Sequence, residues 1–142
     1  MCNNKNEQTK CIAEILAVIL ILQRNATREE EALDTCDRGF LGCGITSLEC
    51  NTRPIMLYNC GCNSGAAWSM PVSKDPNETC VSNVFRIEKL DGNCATFRVL
   101  APNPDKCETN VSPYVATNSF FTMDLNCCCC LRCLNDTFVE CL

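Results

Sequence analysis

The chain has 142 residues, a formal net charge of −5, no histidine and 16 cysteines. An acidic chain without a basic stripe suits neither nucleic acid nor anionic membranes. The lack of histidine removes the commonest general base and leaves a Ser or Cys nucleophile without its usual activator. A chain of this length buries about 68–70% of its unfolded surface as one domain, so its core does not depend on disulfides. Cysteine is therefore in excess of what folding requires.

Residues 1–10, MCNNKNEQTK, read as a flexible polar tail carrying Cys2. The rest, 11–142, reads as a single domain with a helical segment over 11–35 and an antiparallel β region over 53–134. Ile12, Ile15, Leu16, Ile19 and Leu22 recur at helical spacing after Cys11. Val18, Leu20 and Ile21 make this helix apolar nearly all round, which predicts burial on most sides, either in the core or between subunits. The run is too short for a bilayer span of about 20 residues. Glu14 interrupts it and no small-x-small cleavage site follows, so it does not read as a signal peptide. Thr27-x-x-Glu30 is a capping box that starts a second helix or marks a kink. Mixed charges over 24–38 make a solvated helix face. Gly39, Gly42 and Gly44 then end the helical part, amid Cys36, Cys43 and Cys50.

From residue 53 the apolar period becomes two. Residues 54–59 and 66–70 read as strands, with Trp68 packed. In 84–90, Phe85 and Ile87 face one way and Arg86 and Glu88 the other. In 95–100, Phe97 and Val99 oppose Thr96 and Arg98. These two strands form a hairpin. A two-residue loop at Asp91-Gly92 would pair Ile87 with Thr96 and mix the faces. A three-residue loop pairs Ile87 with Phe97 and Phe85 with Val99, or shifts each pair by two, with Gly92 or Asn93 left-handed. Val115 reads as part of a short strand and 120–125 as the last clear one, running into Cys127-Cys128-Cys129-Cys130. The fold class expected is α+β and mostly β: an N-terminal helix followed by an antiparallel β-sandwich or barrel-like domain, cysteine-rich. Asn-x-Ser/Thr triplets at Asn25, Asn77, Asn110 and Asn135 read as chance matches without a secretory signal.

The cysteine pattern sorts the chemistry. Cys60-x-Cys62, Cys127-x-x-Cys130 and Cys130-x-x-Cys133 have metal-type spacings, but the two CxxC pairs share Cys130 and no histidine completes a site. A thioredoxin-like CxxC opens a helix after a strand, a context this β-rich region lacks. A small zinc-binding or thiol-redox module is thus the alternative reading, and a disulfide-rich secreted binding domain a third. No cofactor, metal, small-molecule substrate or catalytic residue is expected, and the chain does not read as an enzyme. Covalent assembly is the first reading. Adjacent cysteines point in different directions, so four in a row need partners elsewhere in the chain or on another chain. Candidate cross-linking residues are Cys2, Cys11, Cys127, Cys128, Cys129, Cys130, Cys133 and Cys141. Cys80, Cys94 and Cys107 read as structural positions, the first two at sheet ends. The helix residues Ile12, Ile15, Leu16, Ile19 and Leu22 are the candidate assembly helix. Sixteen cysteines allow on the order of two million full pairings, and sequence does not choose among them.

These residues resemble a known family. Cys80-x4-Phe85-Arg86-Ile87-Glu88, Gly92-Asn93-Cys94-Ala95-Thr96 and Leu100 are similar to the CotY/CotZ/ExsY family of bacterial spore outer-layer proteins. So are Met123-Asp124-Leu125-Asn126-Cys127-x-Cys129-x3-Cys133-Leu134, Thr52-Arg53-Pro54, Leu57-Tyr58, Leu41-Gly42 and the Cys11 helix ending in Leu22-Gln23. The resemblance spans most of residues 11–134. It implies a structural protein of the spore coat crust or exosporium surface, made in the mother-cell cytoplasm without a signal peptide. It implies self-assembly into an ordered, commonly hexagonal lattice locked by disulfides. The partners it implies are copies of the chain itself, in a ring-based lattice, and other spore coat proteins. Cys128 and Cys130 depart from the apolar or small residues usual at those positions, which points to denser cross-linking. Histidines common near the ends of relatives are absent.

Overall fold

A computed structural model describes residues 5–26, 50–59, 66–104, 112–140 and 142, with side chains from residue 11 onward. The elements are α1 (Lys5–Ala26), β1 (Ile55–Asn59), β2 (Met70–Pro71), β3 (Val81–Ser82), β4 (Val84–Asp91), β5 (Cys94–Pro102), β6 (Tyr114–Asp124), a 3-10 turn (Leu125–Cys127) and β7 (Cys128–Cys133). One helix and a mostly β remainder agree with the expected class. The helix begins at Lys5, inside the stretch read as a tail. Expectations for 27–35, for the glycine-rich turns and for Cys2, Cys36, Cys43, Cys60, Cys62, Cys107 and Cys141 lie outside the described residues.

Five strands form one antiparallel sheet in the order β6-β5-β4-β1-β7, and β2 and β3 pair as a separate ribbon. The two outermost strands, β6 and β7, are joined directly by the three-residue turn. In a flat sheet, four inter-strand spacings of about 4.8 Å would hold them roughly 19 Å apart. The four steps from Asp124 to Cys128 reach at most about 14 Å. The sheet must therefore curl so that its edges approach. Among the described residues no ladder joins β6 to β7, so the edges come together without pairing. The described residues give one curled sheet and a two-stranded ribbon, an antiparallel arrangement of the expected class.

The hairpin β4–β5 has the side-chain pairing its alternation predicts, with Ile87 opposite Phe97 and Phe85 opposite Val99. The loop itself differs. It has two residues, Gly92-Asn93, between the paired Asp91 and Cys94, and Gly92 holds φ +60°. The odd residue sits in β4 instead, as a bulge at Glu88. The cause is electrostatic. Arg86 and Arg98 are direct cross-strand partners, a repulsive arrangement unless a counter-charge intervenes. Glu88 supplies it, accepting from Arg86 Nη1 at 2.7 Å and from Arg98 Nε at 2.8 Å. Arg86 is buried, and its other donors reach Thr52 Oγ1 and the Asn51 carbonyl. Burial disfavours the charged guanidinium, and Glu88 offsets that.

The inner face of the sheet carries Phe85, Ile87, Phe97, Ile55 and Leu57, all at most 1% exposed. Phe121 meets Phe85 edge-on at 4.8 Å and stacks on Phe97 at 5.2 Å. Leu16, Ile19 and Leu20 of α1 close this core, with Ile12 and Ala13 at its margin. The expected strand over 66–70 reduces to a single bridge from Ala67 to Tyr58, followed by β2.

One polar side chain of α1 enters the core. Gln23 is 1% exposed; it donates to the Ile87 carbonyl at 2.9 Å, next to the bulge, and accepts from the Arg53 amide at 3.1 Å. Replacing it by leucine keeps the volume and orphans both backbone groups. At about 1–3 kcal/mol for each, Gln23→Leu is expected to lower stability by about 2–4 kcal/mol. Urea unfolding of wild type and variant checks this: the midpoint falls while the slope is unchanged.

Candidate cross-linking surface

Where the four consecutive cysteines go follows from strand geometry. Cys127 closes the 3-10 turn and is exposed. The turn is capped by Asp124, whose Oδ1 accepts from the Asn126 amide at 3.0 Å. Along β7, Leu131 opposes Leu57 and turns toward the core, while Cys130 opposes Tyr58. Regular alternation would put Cys128 and Cys130 on one face. The register shifts between Tyr58 and Asn59 and leaves Cys129 as an extra residue. Cys128 is consequently buried in the core cluster, its thiol donating to the Cys130 carbonyl at 3.4 Å, while Cys130 is exposed. Cys129 is already disulfide-bonded. The four neighbours thus have three fates: Cys127 and Cys130 are open, Cys128 is buried and Cys129 is bonded.

The other predicted thiols are placed as follows. Cys11 is exposed on α1. Cys80 lies just before β3, with its amide donating to Glu78 Oε1 at 2.9 Å. Cys94 begins β5, flanked in register by Asp91 and Asp124. Both do stand at strand ends, and both carry free, exposed thiols. Cys50, which the sequence singles out only as part of a turn region, is buried and disulfide-bonded. Among the described residues, then, six exposed free thiols (Cys11, Cys80, Cys94, Cys127, Cys130 and Cys133) surround one packed core. The candidate assembly helix divides. Leu16 and Ile19 are core residues, Ile12 packs against the core, Leu22 is half-buried and Ile15 is exposed.

Cys133 has the most built surroundings. It ends β7 beside a groove of about 410 Å³ lined by Pro113 and Tyr114 at the start of β6 and by 132–137. This groove separates the two unpaired edges of the sheet. Its far wall is pinned by Arg53, which grips Asp136 through two bonds of 2.7 and 2.8 Å. The chain beyond continues the β1–β7 pairing: Thr52 bridges Thr137, and the buried Asn51 side chain exchanges two bonds with the Val139 backbone. The pairing of Arg53 with Asp136, 83 residues apart, has no signature in the sequence; Thr52-Arg53-Pro54 entered only through the family resemblance. Partial burial pushes the Cys133 thiol up; the Arg53 charge opposes this and the Asp136 charge adds to it. Burial likewise pushes up Cys128. An activated redox cysteine needs the opposite shift. Among the described residues no group of three or more His, Cys, Asp or Glu is arranged to hold a metal ion.

Among the described residues most of the free thiols are turned outward around a packed core. The family model described as Spore coat protein Z matches residues 1–136, and the chain belongs to that family. Membership gives it a structural role in the spore coat. Among curated proteins and among solved structures, nothing matches. Among the described residues no helix is long and apolar enough to cross a membrane.

The environment of Cys133 sets a pH expectation. Only the thiolate reacts with iodoacetamide, so a raised thiol reaches half-maximal rate above the pH of about 8.5 typical of free cysteine. Asp136→Asn removes a raising charge and moves that midpoint down; Arg53→Gln moves it up. Alkylation rates for Cys133, followed by peptide mapping from pH 6 to 10, read the two shifts in opposite directions.

Proposed function

We propose that this protein is a self-assembling building block of the outer spore layer, coat crust or exosporium, whose copies form an ordered lattice that disulfides then lock. The observation that carries this reading is the set of exposed free thiols around a core that packs without them. A catalytic thiol protein concentrates its cysteines in one activated site. Here they are distributed over the helix, the ribbon, the hairpin end and the edge strand β7.

Distribution of this kind favours many neighbours over one partner. Head-to-tail contacts whose rotation closes give rings, and two-fold contacts between rings extend them into a sheet. Non-covalent packing sets the geometry first, in a reducing cytoplasm where wrong contacts dissociate. Oxidation follows. The partners are copies of the chain and other coat proteins; no catalysis and no cofactor enter.

Purified protein, imaged by electron microscopy with and without reductant, is expected to show ordered arrays in both states. Only the oxidised arrays should survive dilution into mild denaturant. Monomers alone in both conditions, with every disulfide mapped inside one chain, would overturn the proposal.

A further inference from the structure

The chain holds one Asp-Gly pair, Asp91-Gly92, and no Asn-Gly pair. An aspartate carboxyl can close on the amide of the residue that follows it, and glycine, having no Cβ, leaves that amide open to attack. The pair stands where β4 ends and the two-residue loop begins, and Asp91, Gly92 and Asn93 are all exposed. Gly92 holds φ +60°, and nothing lies within 4 Å of where its Cβ would be. We propose that Asp91 is a site of spontaneous isomerisation to isoaspartate, so that the tip of the β4–β5 hairpin changes covalently as the chain ages.

The other aspartates among the described residues are held away from this reaction. Asp75 is followed by Pro76, which has no amide hydrogen, and its Oδ1 accepts from the Asn77 amide at 3.0 Å. Asp124 Oδ1 accepts from the Asn126 amide at 3.0 Å, and the next amide, that of Leu125, donates to the Asn93 carbonyl at 2.8 Å. Asp136 is gripped by Arg53 at 2.7 and 2.8 Å, and the Thr137 amide donates to the Thr52 carbonyl at 2.9 Å. Asp91 has neither restraint: among the described residues its carboxylate and the Gly92 amide are bonded to nothing. The Gly92 nitrogen attacks Asp91 Cγ; its proton and the carboxyl hydroxyl leave together as water, giving a cyclic succinimide. Water then adds back. Opening at the former main-chain carbonyl routes the backbone through Cβ and Cγ, and opening at the other carbonyl restores aspartate. In the folded chain the nitrogen reaches the carboxyl by opening the pair of Asp91 with Cys94, the last of its ladder, and terminal pairs open most readily. The added backbone carbon no longer matches the spacing of the two-residue loop, whose Asn93 carbonyl holds the Leu125 amide. Isomerisation therefore loosens the 3-10 turn against the hairpin.

Prolonged warm incubation of the full folded chain at neutral pH, followed by tryptic mapping, tests it. Peptide 90–98 is sequenced by electron-transfer fragmentation, which separates isoaspartate from aspartate at equal mass. Isoaspartate is expected at residue 91, severalfold above its level at Asp75, Asp124 and Asp136. Asp91→Glu keeps the charge but would have to close a larger, slower-forming ring, and is expected to lose the signal. Asp91→Asn is expected to raise it severalfold, through the same succinimide with ammonia as the leaving group. The Leu125 amide is expected to exchange with solvent faster in aged wild type than in aged Asp91→Glu. The urea-unfolded chain is the reference: isoaspartate at 91 there but not in the folded chain overturns the proposal, because the fold then protects the bond. Equal isoaspartate at the other three aspartates, or a signal in peptide 90–98 at residue 93 alone, overturns it as well. Equal exchange at Leu125 overturns the loosening. None of these outcomes bears on the assembly reading.

Discussion

The three residues Leu125–Cys127 constrain the whole molecule. They carry the chain from one outermost strand of the sheet to the other, a distance that only a curled sheet allows. Curling gives the sheet an inside, and Leu125, fully buried at the turn, belongs to the same cluster as Leu16 and Ile19 of the helix. The inside is filled by aromatic and branched side chains and roofed by α1. The opposite face carries the Arg86–Glu88–Arg98 cluster, and most of the free thiols among the described residues are exposed. Because the two edges approach without hydrogen-bonding each other, a groove remains along their seam, and Cys133 stands at its rim.

Within that frame the cysteines are distributed by backbone geometry. A strand turns successive side chains to opposite faces, and one bulge breaks the count. Cys128 is taken inward, Cys129 is taken into a disulfide and Cys130 is left outside. A disulfide needs Cα atoms about 4.4–6.8 Å apart with convergent side chains, and six exposed thiols among the described residues are free. Cys11 on the helix and Cys130 on the edge strand lie on different elements and face solvent separately. This separation makes external partners the economical reading of the surplus.

The parts legible in the sequence are those where period and chemistry agree. Phe85, Ile87, Phe97 and Val99 fix the hairpin register because a one-residue slip would turn the aromatic face to solvent. The place of the odd residue was not legible. It depends on Arg86 and Arg98 meeting across strands and drawing Glu88 between them, which emerges only once the strands are paired. The run 127–130 has no apolar–polar alternation to read as a strand. β7 forms because Leu131 can meet Leu57 and because β1 otherwise lacks a neighbour on that side. The candidate assembly helix was legible as apolar but not as two-faced. Five spaced apolar residues look like one stripe until the sheet selects Leu16 and Ile19 and leaves Ile15, with Val18 and Ile21, outside.

On the proposed assembly reading, non-covalent packing and exposed thiols have complementary parts. A large apolar interface would hold copies together without sulfur and would also trap wrong encounters. A small one lets copies separate and retry, but it cannot by itself hold a layer together. Disulfides have the complementary property: once formed outside a reducing compartment they persist, and they do not discriminate among approaches that bring two thiols together. In the assembly proposed above, weak packing would choose the neighbour and oxidation would then retain it, each used where the other fails. Cys128, the one free cysteine placed in the core among the described residues, is held back by burial from the chemistry of the surface, because burial pushes its thiol up.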